Sequence, residues 1–144
     1  MPTLTNSIQL NISSDISPVS SSVYHKRIQL SENNKSHIYS ILAYGSLQEN
    51  WDLYGAKKPS RGAITKAIKF ICVELSNRKQ EVFFTAPTPD GDILIELKND
   101  NSIIEFLFSE ETDDKIIASD DNVLYAECIL NETTLKSYIN WLYR

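Results

Sequence analysis

The hydrophobic pattern changes its period near residue 80, and this change restricts the possible folds more than any other feature. Before it, apolar residues recur every three or four positions, as in a helix that faces a core. After it, short runs alternate apolar and polar residues, as in strands with one buried face. The runs are 81–87, 92–98, 102–109, 115–119 and 122–130. The chain therefore contains consecutive strands, with helices grouped before and after them.

Two helices are predicted before the strands and one after them. The first spans about 31–48. The second begins at a Ser60 cap after Pro59 and ends within 76–79, where Asn77 is expected to adopt a left-handed conformation. The third begins after Asn131. The apolar stripes are Ile38, Ile41 and Leu42, then Ile64, Ala67, Ile68, Ile71 and Leu75, and finally Leu135, Tyr138, Ile139 and Leu142.

Short turns between the strands determine the fold class. "TPDG" at 88–91 suits a type I turn, and "NDN" at 99–101 is a tight turn. Such turns join antiparallel neighbours. We predict an α+β fold, an antiparallel meander of three to five strands with helices packed on one face, over residues 31–144. Residues 1–30 are serine-rich and are predicted to form a mobile or weakly structured arm.

Composition excludes some classes of function. The net charge is −5, which disfavours a general nucleic-acid or anionic-membrane binder. Cys72 and Cys128 lie in apolar runs and are expected to be buried thiols. The sequence has no secretory-signal pattern and no apolar run long enough to span a membrane, so we predict a cytoplasmic protein without membrane contact.

Catalytic and metal-binding patterns are weak. The two histidines, His25 and His37, lack a second ligand at metal spacing. The four glycines form no phosphate-binding motif. Acidic residues between 110 and 121 lack the spacing of a calcium loop. We therefore predict no catalytic residue, no metal and no cofactor.

Two alternative functions remain open. An enzyme or ligand-binding domain would use Asp52, Tyr54 and a strand carboxylate, since Glu96 and Glu105 are expected to face each other across a hairpin. A nucleic-acid contact would use Lys57, Lys58 and Arg61, which lie at the start of the second helix. The acidic net charge argues against the second alternative.

"ENWDLYGAKKPS" at 49–60 is predicted to be a structured corner between the first two helices. Asp52 is expected to accept a nearby backbone N–H in an Asx turn. Trp51 and Tyr54 are expected to fix the corner to the core. Pro59 separates the corner from the next helix.

The corner and the later "APTPDGDILIEL" together resemble a family of small, uncharacterised bacterial proteins. The shared pattern is N-W-D-x-Y-G-A, a proline, a helix, and then P-x-P-x-G-x-I before a hairpin. The resemblance covers about 49–108, and Leu53 stands where that pattern commonly has glycine. It implies a bacterial source and a defence-related antitoxin, immunity or inhibitor role. It implies no catalytic residue.

These observations lead to a prediction of a non-enzymatic protein-binding module that occludes a partner surface. The acidic loop 110–114 and the aromatic residues off the stripe of the last helix are the predicted contacts. These candidates are Glu110, Glu111, Asp113, Asp114, Trp141 and Tyr143. The expected partner is another protein, for which a basic surface would complement the loop. Self-association stays open.

Overall fold

The computed structural model describes residues 29–144. Within them, five strands form one antiparallel sheet in sequence order. The elements are α1 (Glu32–Tyr44), α2 (Arg61–Lys69), β1 (Phe84–Pro87), β2 (Ile93–Asn99), β3 (Ser102–Phe108), β4 (Lys115–Asp120), β5 (Val123–Ile129) and α3 (Glu132–Leu142). The predicted α+β meander is confirmed. The predicted arm lies outside the described residues except for positions 29 and 30, and Leu30 packs against the core.

All three helices of the described chain pack against one face of the sheet, which we call the inner face. The buried strand residues alternate along the chain, as a period of two requires. They are Ile93, Ile95, Leu97, Ile104, Phe106, Phe108, Ile116 and Ala118. The predicted helical stripes meet them, with Ile38, Ile41, Ile71, Leu75, Leu135 and Leu142 almost fully buried.

Helix α1 begins where predicted and ends earlier. Ser31 Oγ accepts the Asn34 N–H at 3.1 Å, which is a standard N-cap. The helix ends at Tyr44 rather than near 48. Gly45 N–H donates to Leu42 O at 3.1 Å, and the following residues continue with the same three-residue spacing. This tighter turn ends the helix and leads into the corner at 49–60.

Helix α2 has the predicted Ser60 cap but passes into an unpredicted π-helix, Phe70–Leu75. The prediction that Asn77 is left-handed is wrong, because Lys79 has that conformation with φ of 55°. Gln80 N–H donates to Leu75 O, and Lys79 N–H donates to Ser76 O, which together form a Schellman motif. The pattern of the final hydrogen bonds therefore places the left-handed residue at Lys79.

Strand β1 begins at Phe84, three residues later than predicted, because α1 binds the preceding backbone. The buried amide of Asn34 donates to Gln80 O at 3.0 Å and accepts the Val82 N–H at 2.9 Å. Asn33 donates to Val82 O at 2.9 Å. These bonds satisfy backbone groups that a longer strand would have used. They also fix the edge of the sheet against α1.

Candidate functional site

The face of the sheet opposite the helices, which we call the outer face, is the candidate site. No helix of residues 29–144 packs on it. Strand register sorts its side chains into three rows that run across the strands. The first row is Ala86, Leu94, Leu107, Lys115 and Ile129; the second is Phe84, Glu96, Glu105, Ile117 and Glu127; the third is Lys98, Ile103, Ser119 and Leu124. The face is thus mainly apolar, with two neighbouring carboxyl groups in its middle row.

Glu96 and Glu105 are directly opposite each other on β2 and β3, as predicted. Directly opposed residues have Cβ atoms about 5 Å apart, so their carboxyl groups can meet. Burial of Glu96, a hydrogen bond with Glu105 and the charge of Glu105 raise the pKa of Glu96 to about 7. Lys98 opposes that increase. The raised pKa favours the neutral form of Glu96, whose carboxyl can then donate a hydrogen bond to Glu105.

Several large apolar side chains on the outer face reach solvent. The exposed fractions are 45% for Phe84, 62% for Leu124 and 53% for Ile129. Phe83, which precedes β1, is 53% exposed, and Lys98 Nζ lies 5.0 Å from the centre of its ring. Phe84 is on the edge strand β1, and Leu124 and Ile129 are on the opposite edge strand β5. Partly buried apolar residues of β2, β3 and β4 connect them across the face. Exposed apolar residues on one surface are typical of interaction sites. The strand alternation revealed the outward positions, but it did not identify Phe83, Phe84, Leu124 or Ile129 as contact candidates.

Two of the predicted acidic contacts make intramolecular bonds. Glu110 Oε1 accepts the Gly62 N–H at 2.9 Å, at the N-terminus of α2. Asp114 accepts from Lys66 Nζ at 3.1 Å and from the Ser109 N–H at 3.2 Å. Both side chains therefore stabilise the attachment of the β3–β4 loop to α2. Glu111 and Asp113 are exposed in the same loop and are available to a partner.

The predicted aromatic contacts lie on the helical side of the molecule. Trp141 stacks on Tyr125 with a centroid separation of 4.9 Å, and Arg144 covers it at 4.4 Å. Tyr143 donates its hydroxyl hydrogen to Gln80 Oε1 at 2.8 Å. Trp141 is therefore partly buried, whereas half of Tyr143 remains exposed.

The acidic loop and these aromatic residues are at opposite ends of the sheet. The loop adjoins the end where Leu107 pairs with Lys115. The C-terminus adjoins the other end, since Asn99 Nδ2 donates to Leu142 O at 3.0 Å. Strands of this length are about 20 Å long, so the two groups do not form one patch. Asp121 also belongs to the far end, and the described residues contain no acidic cluster able to hold a metal ion.

The corner at 49–60 is structured as predicted, except at Tyr54. Asp52 Oδ1 accepts the Tyr54 N–H at 2.8 Å and the Ala56 N–H at 3.0 Å, which confirms the Asx turn. Trp51 is partly buried and donates its indole N–H to Lys57 O at 2.9 Å. The expectation that Tyr54 fixes the corner to the core is wrong, because its side chain is 91% exposed. Local turn bonds hold this corner, so it does not need a Tyr54 anchor.

The two segments that carry the resemblance, 49–60 and 86–97, meet at this corner. Lys57 N–H donates to Pro89 O at 2.8 Å, and Ser60 N–H donates to Gly91 O at 3.0 Å. Gly91 has φ of 88°, and a Cβ at that position would lie 3.0 Å from Lys58 O. Only glycine meets both conditions without strain. The contact between these two segments therefore explains the glycine at position 91 without a ligand.

A polar cavity of about 370 Å³ separates this corner from the acidic loop. Lys57 and Lys58 line it together with Asp90, Asp92 and Glu111. Burial is the main cause that raises the pKa of Asp92. The mixed charges, with Glu110 already bound at the start of α2, do not form the basic surface that nucleic acid requires.

A second, mainly apolar cavity of about 310 Å³ lies between α2 and α3. Phe70 and Val73 of the π-helix line it with Leu130 and Leu135. Charged residues of both signs form its rim, including Lys69 and Glu132. Neither Asp52 nor Tyr54 lines this cavity or the polar one. The residues proposed for an enzyme therefore line neither of these two cavities.

Both cysteines are free thiols. Cys72 is buried, and burial raises the pKa of its thiol to about 11. Cys128 is only partly buried, on the inner side of β5. A buried thiol with a raised pKa is a poor nucleophile, so Cys72 serves packing.

Comparisons of the chain with protein-family models, with curated proteins and with solved structures find no match in any of the three. The resemblance at 49–108 therefore stays a prediction from the sequence pattern. In the described part of the chain, every helix is too short or too polar to cross a bilayer.

Proposed function

We propose that this chain is a non-enzymatic protein-binding module whose partner packs on the outer face of the sheet. The observation that carries the proposal is the set of exposed apolar side chains at both edges of that face, above all Phe84 on β1 and Leu124 and Ile129 on β5. Burying such side chains would stabilise a complex by about 25 cal/mol for each Å² removed from water, before the costs of association.

The size of the outer face indicates how far the contact would extend. Strands about 4.8 Å apart and about 20 Å long give a face roughly 20 Å on each side. A standard protein interface covers about 800 Å² on each partner, so contacts at the rim would be needed as well. The acidic loop lies at one rim, where exposed Glu111 and Asp113 would favour a basic partner.

The biological role within this class follows from the sequence resemblance. A module that covers a partner surface can act as an antitoxin, an immunity protein or an inhibitor, and a bacterial cytoplasm is the proposed setting. The free thiols are compatible with a reducing compartment. The alternatives have less support, because Asp52 is engaged in turn bonds and Glu110 already occupies the N-terminus of α2.

Site-specific photo-crosslinking in the source cells tests the proposal. The crosslinking amino acid would replace Phe84 on the outer face, Glu111 in the acidic loop or Tyr54 at the corner. We expect one protein to be captured strongly through position 84, more weakly through 111, and not through 54. Absence of a product at 84, or stronger capture at 54, would refute the proposed surface.

A competition experiment provides the matched control. Excess untagged wild-type chain should suppress the crosslink at Phe84, and so should Leu53→Lys, because Leu53 is exposed at the distant corner. Phe84→Lys should fail to compete, since it replaces an exposed apolar side chain of the contact with a charge. Equal competition by both variants would contradict the proposal, provided that urea unfolding shows both to be folded.

A further inference from the structure

The Glu96–Glu105 pair is a polar feature in an otherwise mainly apolar surface. It occupies the middle row, with Leu94 and Leu107 on one side and Lys98 and Ile103 on the other. A purely apolar partner would bury the two carboxyl groups without compensation, which is costly. A partner that satisfies them must supply hydrogen-bond donors at the centre of an apolar contact.

The charged groups of the outer face do not neutralise the pair. They are Lys98 on β2, Lys115 on β4 and Glu127 on β5, while β1 contributes no charged residue. Lys98 follows Glu96 on the same face of β2 and favours its ionised form, whereas Lys115 is diagonal to Glu105. Among the ion pairs of residues 29–144, neither lysine contacts Glu96 or Glu105. Lys98 Nζ is over Phe83 instead.

We propose that the Glu96–Glu105 pair is the receptor for an arginine side chain of the protein partner, an inference that rests on the proposed function. A guanidinium carries five N–H donors in a planar fork and can bond both carboxylates at once. It is weakly hydrated and stacks on aromatic rings, and Phe84 is directly opposite Glu96 on β1. A lysine ammonium is a strongly hydrated point charge and suits this surface less well.

Binding of a guanidinium changes the ionisation of the Glu96–Glu105 pair, so the affinity should depend on pH. The unbound pair holds a proton near neutral pH, and a bound guanidinium favours two ionised carboxylates. Binding therefore releases one proton to solvent, and affinity rises with pH until the unbound pair is itself ionised. An apolar partner or a second copy of the chain requires the uncharged pair, so its affinity would fall as pH rises. The sign of the pH dependence distinguishes these occupants.

The experiment uses the full chain and two probes, acetyl-Leu-Arg-Leu-amide and its citrulline counterpart, which lacks the charge but keeps the shape. ¹³C NMR of the side-chain carboxyl carbons of Glu96 and Glu105, or of the amide carbons of the glutamines that replace them, reports binding near pH 5.5 and pH 8. We expect the arginine peptide to bind at least about fivefold more tightly at the higher pH. There it should exceed the citrulline peptide by a similar factor. A variant with both Glu96→Gln and Glu105→Gln should bind the two peptides equally, whereas Glu32→Gln, an exposed site on α1, should behave as wild type.

Several outcomes would overturn the inference. These are equal binding of both peptides at the higher pH, tighter binding at the lower pH, and no perturbation of either glutamate by either peptide. A dimer at low pH that Phe84→Lys abolishes would assign the face to a second copy. A shift of the glutamate resonances on replacing Lys26 and Arg27 with glutamine would assign it to the chain's own N-terminal segment. If crosslinking at Phe84 succeeds while the peptides bind equally, the inference fails and the proposed function stands.

Discussion

Replacing Glu96 with glutamine should remove a loss of stability that sets in as pH rises. The pKa of Glu96 is raised from 4.5 to about 7 by burial and by Glu105. Below both values the carboxyl is neutral in the folded and unfolded states, and its contribution to stability is fully present. As pH rises through the folded pKa, the folded protein must carry the charge, and that stability is lost.

The magnitude follows from the two pKa values. At 1.36 kcal/mol per pH unit, the interval from 4.5 to about 7 corresponds to at most about 3.4 kcal/mol. Glu96 is only partly buried, so solvent screening reduces the expected effect to about 1–2 kcal/mol. The glutamine variant cannot ionise, and its amide can donate to Glu105. Its free energy of unfolding should exceed that of wild type by about 1–2 kcal/mol near pH 8 and match it within about 0.5 kcal/mol near pH 5.

Urea unfolding of wild type and variant at both pH values measures this difference. Burial also raises the pKa of Asp92 and lowers that of His37, but both groups are common to the two proteins, so their effects cancel in the comparison. Glu127→Gln is the matched control on the same face, and it should leave the pH dependence unchanged. If the difference between wild type and Glu96→Gln is the same at both pH values, the proposed interaction between the two carboxyl groups is refuted.

Three further changes test the packing that positions the outer face. Asn34→Ala leaves the buried Val82 N–H without a partner and should lower the free energy of unfolding by about 2–4 kcal/mol, whereas Asn33→Ala, at an exposed neighbour, should cost about 1 kcal/mol or less. Similar values in urea unfolding would contradict the role of Asn34. Gly91→Ala places a side chain at a positive φ and close to backbone, and should lower the free energy of unfolding in urea by about 2–3 kcal/mol. A change below about 0.5 kcal/mol would show that the turn relaxes. Ser60→Ala removes the α2 cap and should cost about 1 kcal/mol, with no change in peptide binding by NMR at the outer face.

The position of Glu96 directly opposite Glu105 was predictable because the pairing of two strands joined by a tight turn depends on residues close in sequence. A tight turn at 99–101 sets the register of β2 and β3, and a period of two then assigns each side chain to a face. The same reasoning predicted the helix caps at Ser60 and Asn131. Each of these features depends on residues only a few positions apart.

Local rules could not predict whether the candidate contacts at 110–114 and 141–143 are free to bind a partner. The sequence identifies these residues as charged or aromatic, but intramolecular partners decide their availability. Glu110 is bound to the start of α2, and Trp141 stacks on Tyr125, through contacts between residues distant in sequence. The acidic loop and the C-terminal aromatic residues are at opposite ends of the sheet because α3 runs back along the sheet, which is also a tertiary feature.

The sequence alone therefore determined the secondary-structure order, the antiparallel pairing and the inward and outward sets of strand residues, since hydrophobic period and turn chemistry are local. The tertiary structure decided where α2 becomes a π-helix and which aromatic side chains stay exposed. Those outcomes depend on packing between distant segments, which minimises unsatisfied backbone groups and unfilled space across the whole core. The outer face became the leading candidate site when its large apolar side chains were found exposed.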